Sequence, residues 1–286
     1  MNDRISVDIQ GGVADVRLIR TDKMNALDNA MFEALIQTGE RLKGEKGLRA
    51  VVLSGEGRAF CAGLDTSNFA AMASGERSGG AGSAGALVTN KRTPGGSNRA
   101  QHAVMVWREI PVPVIAAVHG VAFGGGYQLQ LSADMRFVTP DAKLSVLEIK
   151  WGLIPDMAGM ALLRGLVRDD VARELLYSGR IFNGDEALAM GLATRVCDDP
   201  RAEALAFARE VASKNPDAIR AGKRLLNLMA DGDQNELLIE ESREQTALIG
   251  SPNQVEAVRA SLEKRAPNFS ETEAETPAPL PFGAGG

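Results

Sequence analysis

The chain has 286 residues, of which 44% are hydrophobic and 24% are charged, as is ordinary for a globular protein. Its 32 basic and 37 acidic residues give a net charge of −5, which argues against binding to nucleic acid or a membrane surface through a large positive field. The isolated Cys61 and Cys197 predict neither a disulfide framework nor a metal site. The N-terminal segment lacks the pattern of a signal peptide and no apolar run is long enough to span a bilayer, so we expect a cytoplasmic protein.

The first half of the chain alternates between strand-like and helix-like patterns. Ile5–Ile9 and Val13–Ile19 alternate apolar with polar residues on either side of two glycines, which predicts a β-hairpin. Asp28 is placed to cap the N-terminus of an amphipathic helix. Arg49–Leu53 and Val112–Val118 are short apolar runs typical of buried strands. This succession predicts an α/β fold.

The second half is helical, and two segments have a different composition. Ser74–Asn98 is rich in Gly and Ser, which predicts a mobile loop inserted into the core. The last segment, 266–286, is rich in Pro, Glu, Thr and Gly, which predicts a disordered tail. We therefore expect a core at 1–200 and a helical C-terminal portion at 201–265. The predicted helices are Met157–Val167, Asp170–Ser178, Asp185–Met190, Pro200–Lys214, Pro216–Met229, Glu236–Ile249 and Pro252–Arg265, with Asp185 as an N-terminal cap and Gly191 as a C-terminal one.

Two glycine-containing turns are the first candidates for a site. One is Arg58–Asp65, and the other is His119–Gln128, which contains three consecutive glycines. Each turn follows a predicted strand and can leave a backbone N–H group without a partner. Most glycine turns only satisfy backbone geometry, so neither motif is specific when taken alone.

Four stretches taken together are specific. In chain order they are AFCAGLD, VIAAVHGVAFGGG, LEIKWGLIPDMAG and LLYSGRIFNGDEALAMGLATRV. They closely resemble the crotonase family of enoyl-CoA hydratases and isomerases, and the resemblance runs from Asn2 to about Phe269 without the insert. It implies a crotonase-like spiral of ββα units, a helical C-terminal portion used for assembly, and a homotrimer or dimer of trimers. It also implies an acyl-CoA thioester substrate, as in fatty acid metabolism, and no cofactor or metal, since CoA is part of the substrate.

The resemblance further implies roles for backbone groups. The N–H groups of Leu64 and Gly125 would form an oxyanion hole for the thioester carbonyl, where negative charge develops when a neighbouring proton is removed. CoA would lie along Lys23–Ala26 and Ala62–Asp65, with Lys23, Ala26, Ala62, Leu64 and Asp65 as its binding residues. Lys23 is a candidate to neutralise phosphate, and it is equally well explained as an ordinary surface charge.

Acid–base residues decide which reaction the family fold performs. Hydratases of the family use two glutamates; the resemblance places Glu148 at one position, but Gln128 occupies the other. An amide only hydrogen-bonds and transfers no proton at neutral pH. Asp156 lies where several isomerases of the family carry an acid, and beside apolar residues it would shuttle protons with a raised pKa. The alternative is that Asp156 only caps a helix beginning at Met157.

We therefore expect an enoyl-CoA hydratase/isomerase, a lyase or an isomerase, with Glu148, Asp156, Leu64, Gly125 and Gln128 as its catalytic residues. The departure at Gln128 favours double-bond isomerisation. Two alternatives stay open from the sequence: an enoyl-CoA hydratase, and a non-catalytic acyl-CoA-binding protein that has kept the fold and lost the chemistry.

Overall fold

The computed structural model describes residues 3–65 and 91–271. The chain forms two compact units, Met1–Ala212 and Ser213–Gly286. The first unit extends beyond the predicted core limit at residue 200, because the helix Pro200–Ala212 packs against strands of the sheet. Among the described residues, no helix combines the length and the apolar character needed to cross a membrane. The predicted α/β class is confirmed.

The first unit is built around β-strands, which in the described residues are β1 Ile5–Gln10, β2 Val13–Leu18, β3 Ala50–Gly55, β4 Val114–Val118, β5 Val121–Phe123, β6 Met135–Val138, β7 Lys143–Ser145 and β8 Arg195–Val196. Six of them form one sheet with the strand order β1-β2-β3-β4-β6-β8. The predicted hairpin is confirmed as β1 and β2, which pair antiparallel, and every other pair in this sheet is parallel. A smaller sheet pairs β5 with β7 in parallel.

Helices cover the sheet, and several begin where the sequence predicts. Asp28 accepts a hydrogen bond from Met31 N at 2.8 Å and so caps α1, as expected. The helix over 184–189 is capped by Asn183, so the predicted cap at Asp185 is wrong. Asn183 lies three residues before Glu186 and forms a reciprocal capping box with it, which Asp185 cannot do. Within residues 3–65 and 91–212, the helices are α1 Asn29–Lys43, α2 Arg99–Arg108, α3 Gly125–Leu131, α4 Gly159–Leu163, α5 Asp169–Ser178, α6 Gly184–Ala189 and α7 Pro200–Ala212.

Two apolar clusters hold the first unit together. The larger contains the buried side chains of α1 and α2, among them Phe32 and Trp107. The smaller lies where α7 packs on the sheet, and Ala204 and Ala208 let the helix approach the strands closely. Its buried members are Val13, Ala50, Val52, Ile115, Ala117, Phe137, Ala204 and Ala208.

The part of the second unit that the structure describes, up to residue 271, contains three helices, α8 Pro216–Asp231, α9 Gln234–Leu248 and α10 Pro252–Glu263. The side chain of Asn253, at the start of α10, accepts a hydrogen bond from Ser270 N at 2.9 Å. The first part of the predicted disordered tail is therefore held against this unit, and residues 272–286 lie outside the described chain.

Part of the predicted insert is also described. Between residues 91 and 98 the chain makes a turn in which Gly96 N donates to Thr93 O at 2.9 Å, and Asn98 then caps α2 through a capping box with Gln101. Residues 74–90, the greater part of the insert, lie outside the described residues, so its predicted mobility stays a prediction.

Candidate functional site

The two glycine turns of the sequence meet in the structure. Cys61 forms a parallel bridge with Ala122 of β5, through Cys61 N to Val121 O at 3.1 Å and Phe123 N to Cys61 O at 3.1 Å. A Cβ atom on Gly126 would lie only 2.3 Å from Cys61 O, so the approach requires glycine there. The two segments that sequence analysis singled out separately therefore form one structure.

Leu64 lies beside Leu27 in a second parallel bridge. Leu27 N donates to Gly63 O at 2.8 Å, and Asp65 N donates to Leu27 O at 3.1 Å. These bonds use the groups on either side of Leu64, so the N–H of Leu64 itself points to the opposite side of the strand. Gly63 has a φ of +89°, in the region that favours glycine.

The backbone N–H groups of Leu64 and Gly125 belong to neighbouring segments. A Cβ atom on Gly63 would lie 3.7 Å from Gly125 N and 2.5 Å from Phe123 O. Gly125 is the first residue of α3 and follows Gly124, whose φ is +50°. Within residues 3–65 and 91–271, neither N–H donates to a backbone carbonyl. Two such donors on neighbouring segments are what an oxyanion hole requires.

Glu148 lies beside the glycine turn that contains Gly125, since a Cβ on Gly124 would be 3.4 Å from its Oε1. The residue is only 9% exposed, and its Oε2 is buried without a hydrogen-bond partner among the described residues. Burial raises the pKa of this carboxyl, and the negative charge of Asp156 raises it further, against the lowering effect of hydrogen bonds. A group in this state is suited to taking up and releasing a proton.

Gln128 connects Glu148 to the segment that contains Asp156. Its Nε2 donates to Glu148 Oε1 at 2.6 Å, while its Oε1 accepts from Met157 N at 2.8 Å and from Gly159 N at 2.9 Å. All of these contacts are buried. The amide is thus a structural link between the two predicted acid–base residues.

Asp156 does not cap a helix, so that alternative interpretation is wrong. Helix α4 begins at Gly159 and not at Met157, its N-cap is Ala158 with a φ of +70°, and no side chain caps it. The Asp156 residue is exposed as a whole, yet its carboxyl lies among enough protein atoms that desolvation raises its pKa. It is also close enough to Glu148 to influence the titration of that residue.

The predicted CoA-binding segments lie side by side. Ala62 N donates to Met24 O at 2.9 Å, which joins the segment Ala62–Asp65 to the segment Lys23–Ala26. Lys23 is exposed, whereas Asp65 is 7% exposed and its carboxylate contacts Arg20 at 2.6 Å. The charge of Asp65 is therefore paired with that of Arg20.

Sequence reasoning missed two residues that hold these segments in place. The guanidinium of Arg20 donates to Ala26 O at 2.9 Å and also contacts the carboxylate of Asp65. Ala26 and Asp65 flank the bridge between Leu27 and Leu64, so Arg20 holds both of its segments. Asn25 is fully buried with a φ of +56°, and its Nδ2 donates to Glu56 O at 3.1 Å and to Ala59 O at 2.9 Å. A buried Asn in a conformation that favours glycine leaves no pattern in a single sequence.

One other group of the described residues has the spacing of metal ligands. Glu40, His102 and Glu109 place one ligand atom each within 4.8 Å of the others. The ammonium of Lys43 already contacts Glu109 at 2.7 Å and Glu40 at 3.4 Å. The carboxylates are therefore neutralised by the protein itself, as in an ordinary surface ion-pair cluster.

Comparison with known proteins agrees with this geometry. The family profile described as enoyl-CoA hydratase/isomerase matches residues 8–272. A Delta(3,5)-Delta(2,4)-dienoyl-CoA isomerase of Mus musculus is 31% identical over 90% of this chain and 78% of its own length. A probable enoyl-CoA hydratase of Bacillus subtilis is 32% identical over 89% and 94%. Among solved structures, a putative enoyl-CoA hydratase from Streptomyces coelicolor superposes with a TM-score of 0.83 at 31% identity, covering 93% of this chain and 94% of that one. The chain therefore belongs to the enoyl-CoA hydratase/isomerase, or crotonase, family and is an enzyme of the lyase or isomerase type.

Proposed function

We propose that this protein moves a carbon–carbon double bond within an enoyl-CoA thioester. The observation that carries the proposal is the pair Glu148 and Asp156: the pKa of each carboxyl is raised by burial, and Asp156 has no capping role. Two such carboxyls beside a pair of backbone N–H groups that have no backbone partner within residues 3–65 and 91–271 suit a reaction in which one proton is removed and another is added.

The reaction begins at the carbon next to the thioester of a 3-enoyl-CoA. The Glu148 carboxylate takes a proton from C2, and the electrons of that C–H bond move toward the thioester oxygen to form an enolate. The N–H groups of Leu64 and Gly125 donate to this oxygen, and each such donor typically contributes about 3–4 kcal/mol to stabilising the charge.

The double bond then moves as the enolate collapses. Electrons return from oxygen to re-form the C1–O double bond, the C1–C2 π electrons form the C2–C3 double bond, and the electrons of the former C3–C4 double bond take a proton from Asp156 onto C4. Glu148 is left protonated and Asp156 ionised; Glu148 then releases one proton to water and the exposed Asp156 takes one up from water, which restores both groups. No atom is gained or lost, and no cofactor takes part in these steps.

The comparisons leave both isomerisation and hydration open, since one similar protein is described as a dienoyl-CoA isomerase and others as hydratases. The amide at Gln128 favours isomerisation, because hydration in the family relies on two glutamates. A conjugated 3,5-dienoyl-CoA is therefore a second substrate to test beside a simple 3-enoyl-CoA. We also expect CoA to lie along Lys23–Ala26 and Ala62–Asp65, and the enzyme to assemble as a homotrimer or a dimer of trimers.

The test follows 3-enoyl-CoA, 3,5-dienoyl-CoA and crotonyl-CoA by ultraviolet absorbance. We expect turnover of at least one of the first two to exceed hydration of crotonyl-CoA. Glu148→Gln and Asp156→Asn should each reduce isomerisation by about 10²–10⁴-fold, since both variants keep size but lose proton transfer. The exposed Asp185→Asn is the matched control and should retain the wild-type rate.

Other outcomes would point to the alternatives. Efficient hydration, unchanged by Asp156→Asn, would identify a hydratase that uses Glu148 alone. Tight binding of all three thioesters without turnover would identify a non-catalytic acyl-CoA-binding protein.

A further inference from the structure

Gln128 has a fixed orientation because of its neighbours. Its Oε1 accepts from two backbone N–H groups, those of Met157 and Gly159, and only an oxygen can do so. Its Nε2 must therefore face Glu148, to which it donates at 2.6 Å. A Cβ on Gly159 would lie 2.7 Å from Gln128 Oε1, so the glycine leaves the space that the amide fills.

This orientation makes the two oxygens of Glu148 unequal. Oε1 is occupied by the amide of Gln128, whereas Oε2 is buried and has no partner among the described residues. A carboxylate oxygen that already accepts a strong hydrogen bond is the weaker base of the two. The proton is therefore best taken by Oε2.

The same side chain also sets the spacing between the two carboxyl groups. Asp156 immediately precedes Met157, whose N–H is bound to Gln128, so one amide holds both Glu148 and the Asp156 segment. Its oxygen is saturated by two donors, so Gln128 has no remaining acceptor with which to orient an attacking water.

We propose that Gln128 is a positioning residue that makes Glu148 Oε2 the proton-transferring atom and selects isomerisation over hydration. The proposal rests on the proposed function, and it adds the residue that determines which reaction the pair performs. A glutamine that only filled space would influence stability and leave the pH dependence and the ratio of the two reactions unchanged.

The first experiment replaces Gln128 with Met, which has a similar length and makes no comparable hydrogen bonds. The bond from Gln128 lowers the pKa of Glu148, so its loss raises that pKa and the basic form appears only at higher pH. We expect kcat for isomerisation to fall at least ~10-fold with little change in KM, and the acidic limb of its pH profile to move to higher pH. Gln130→Met is the matched control, since Gln130 is equally buried on α3 and makes no contact with Glu148 among its described bonds. It should leave the pH limb where it is in the wild type.

The second experiment uses Gln128→Glu, which keeps the side-chain size in case the Met variant does not fold. A carboxyl at 128 would face Glu148 Oε1 at the present 2.6 Å, and two carboxylates this close must share a proton. We expect the acidic limb to move to higher pH and the ratio of hydration to isomerisation to rise at least ~10-fold.

The outcomes separate this proposal from the proposed function. If the wild type isomerises and both Gln128 variants keep its reaction ratio and pH limb, the inference is overturned while the proposed function stands. If the wild type only hydrates, the proposed function fails, and the selective role of Gln128 fails with it. A shifted pH limb in the hydration reaction would then still show that Gln128 controls Glu148.

Discussion

Removing one donor of the oxyanion hole is the most direct test of the backbone site. Gly125→Pro deletes the N–H of Gly125, which donates to no backbone carbonyl within the described residues, so no native backbone hydrogen bond is lost. Gly125 is also the first residue of α3, the helical position at which proline is best tolerated. We therefore expect the variant to fold.

The expected loss in kcat depends on what the N–H contributes to catalysis and on which atoms a new side chain at position 125 displaces. Loss of one oxyanion donor costs about 10²–10³-fold in kcat, or about 2.7–4 kcal/mol. A Cβ at Gly125 would lie 2.8 Å from Leu27 Cδ1 and 2.8 Å from Met157 Sδ, both at the ends of flexible side chains. Gly125→Ala makes the same contacts and keeps the donor, so it is the matched control.

The assay compares kcat of the two variants on the best wild-type substrate, with thermal unfolding and oligomeric state measured in parallel. The rate of Gly125→Ala divided by that of Gly125→Pro removes the effect of the added Cβ, which is common to both variants, and reports the replacement of the N–H by the Cδ of the proline ring. We expect a ratio of about 10²–10³. A ratio near one in two well-folded variants would remove Gly125 from the mechanism.

Two further predictions follow from the same site. Gly63→Ala forces a Cβ to 2.5 Å from Phe123 O at a φ of +89°, which separates the two donor segments, so kcat/KM should fall ~10²-fold. The control is Gly250→Ala, at a φ of +79° with no atom within 4 Å of the new Cβ, which introduces only backbone strain and should keep the wild-type rate. Equal rates for the two variants would contradict the reasoning. The raised pKa of Glu148 means that the folded state holds its proton more tightly than the unfolded state, so the stabilising effect of that protonation is lost as pH rises through the folded pKa. The Tm of Glu148→Gln should therefore exceed the Tm of the wild type by a difference that grows from pH 4 to pH 8. A Tm difference that does not depend on pH would refute this.

Local features of the fold were predictable from the sequence because local physics determines them. The hairpin follows from alternation around two glycines, and the start of α1 follows from the capping preference of Asp28. The glycine turns were recognised for the same reason, since a φ of +89° at Gly63 requires glycine. Their meeting at the bridge between Cys61 and Ala122 was implied only by the family resemblance.

Long-range polar contacts were not predictable. Nothing near Gln128 in sequence indicates that its oxygen binds N–H groups about thirty residues away. The alternative that Asp156 caps a helix is wrong because Ala158 adopts a φ of +70° and the helix begins only at Gly159. Arg20 likewise finds Asp65 only in the folded chain. Partners separated by tens of residues are chosen by topology, so a single sequence carries no local signal for them.

The hydrogen bonds of Gln128 explain why an amide at this position weakens hydration by more than the absence of a second acid. A water held between two carboxylates donates both hydrogens and keeps its lone pairs for attack on carbon. The Gln128 side chain has one hydrogen-bonding group left for such a water, which is the second N–H of Nε2. Its Oε1 already accepts two hydrogen bonds, and the first N–H of Nε2 is bound to Glu148. A water at this N–H would accept a bond through the lone pair that it needs as a nucleophile. The same amide leaves Oε2 of Glu148, which has no hydrogen-bond partner within the described residues, to remove a proton from carbon. A single change of side chain therefore weakens hydration and preserves enolate formation.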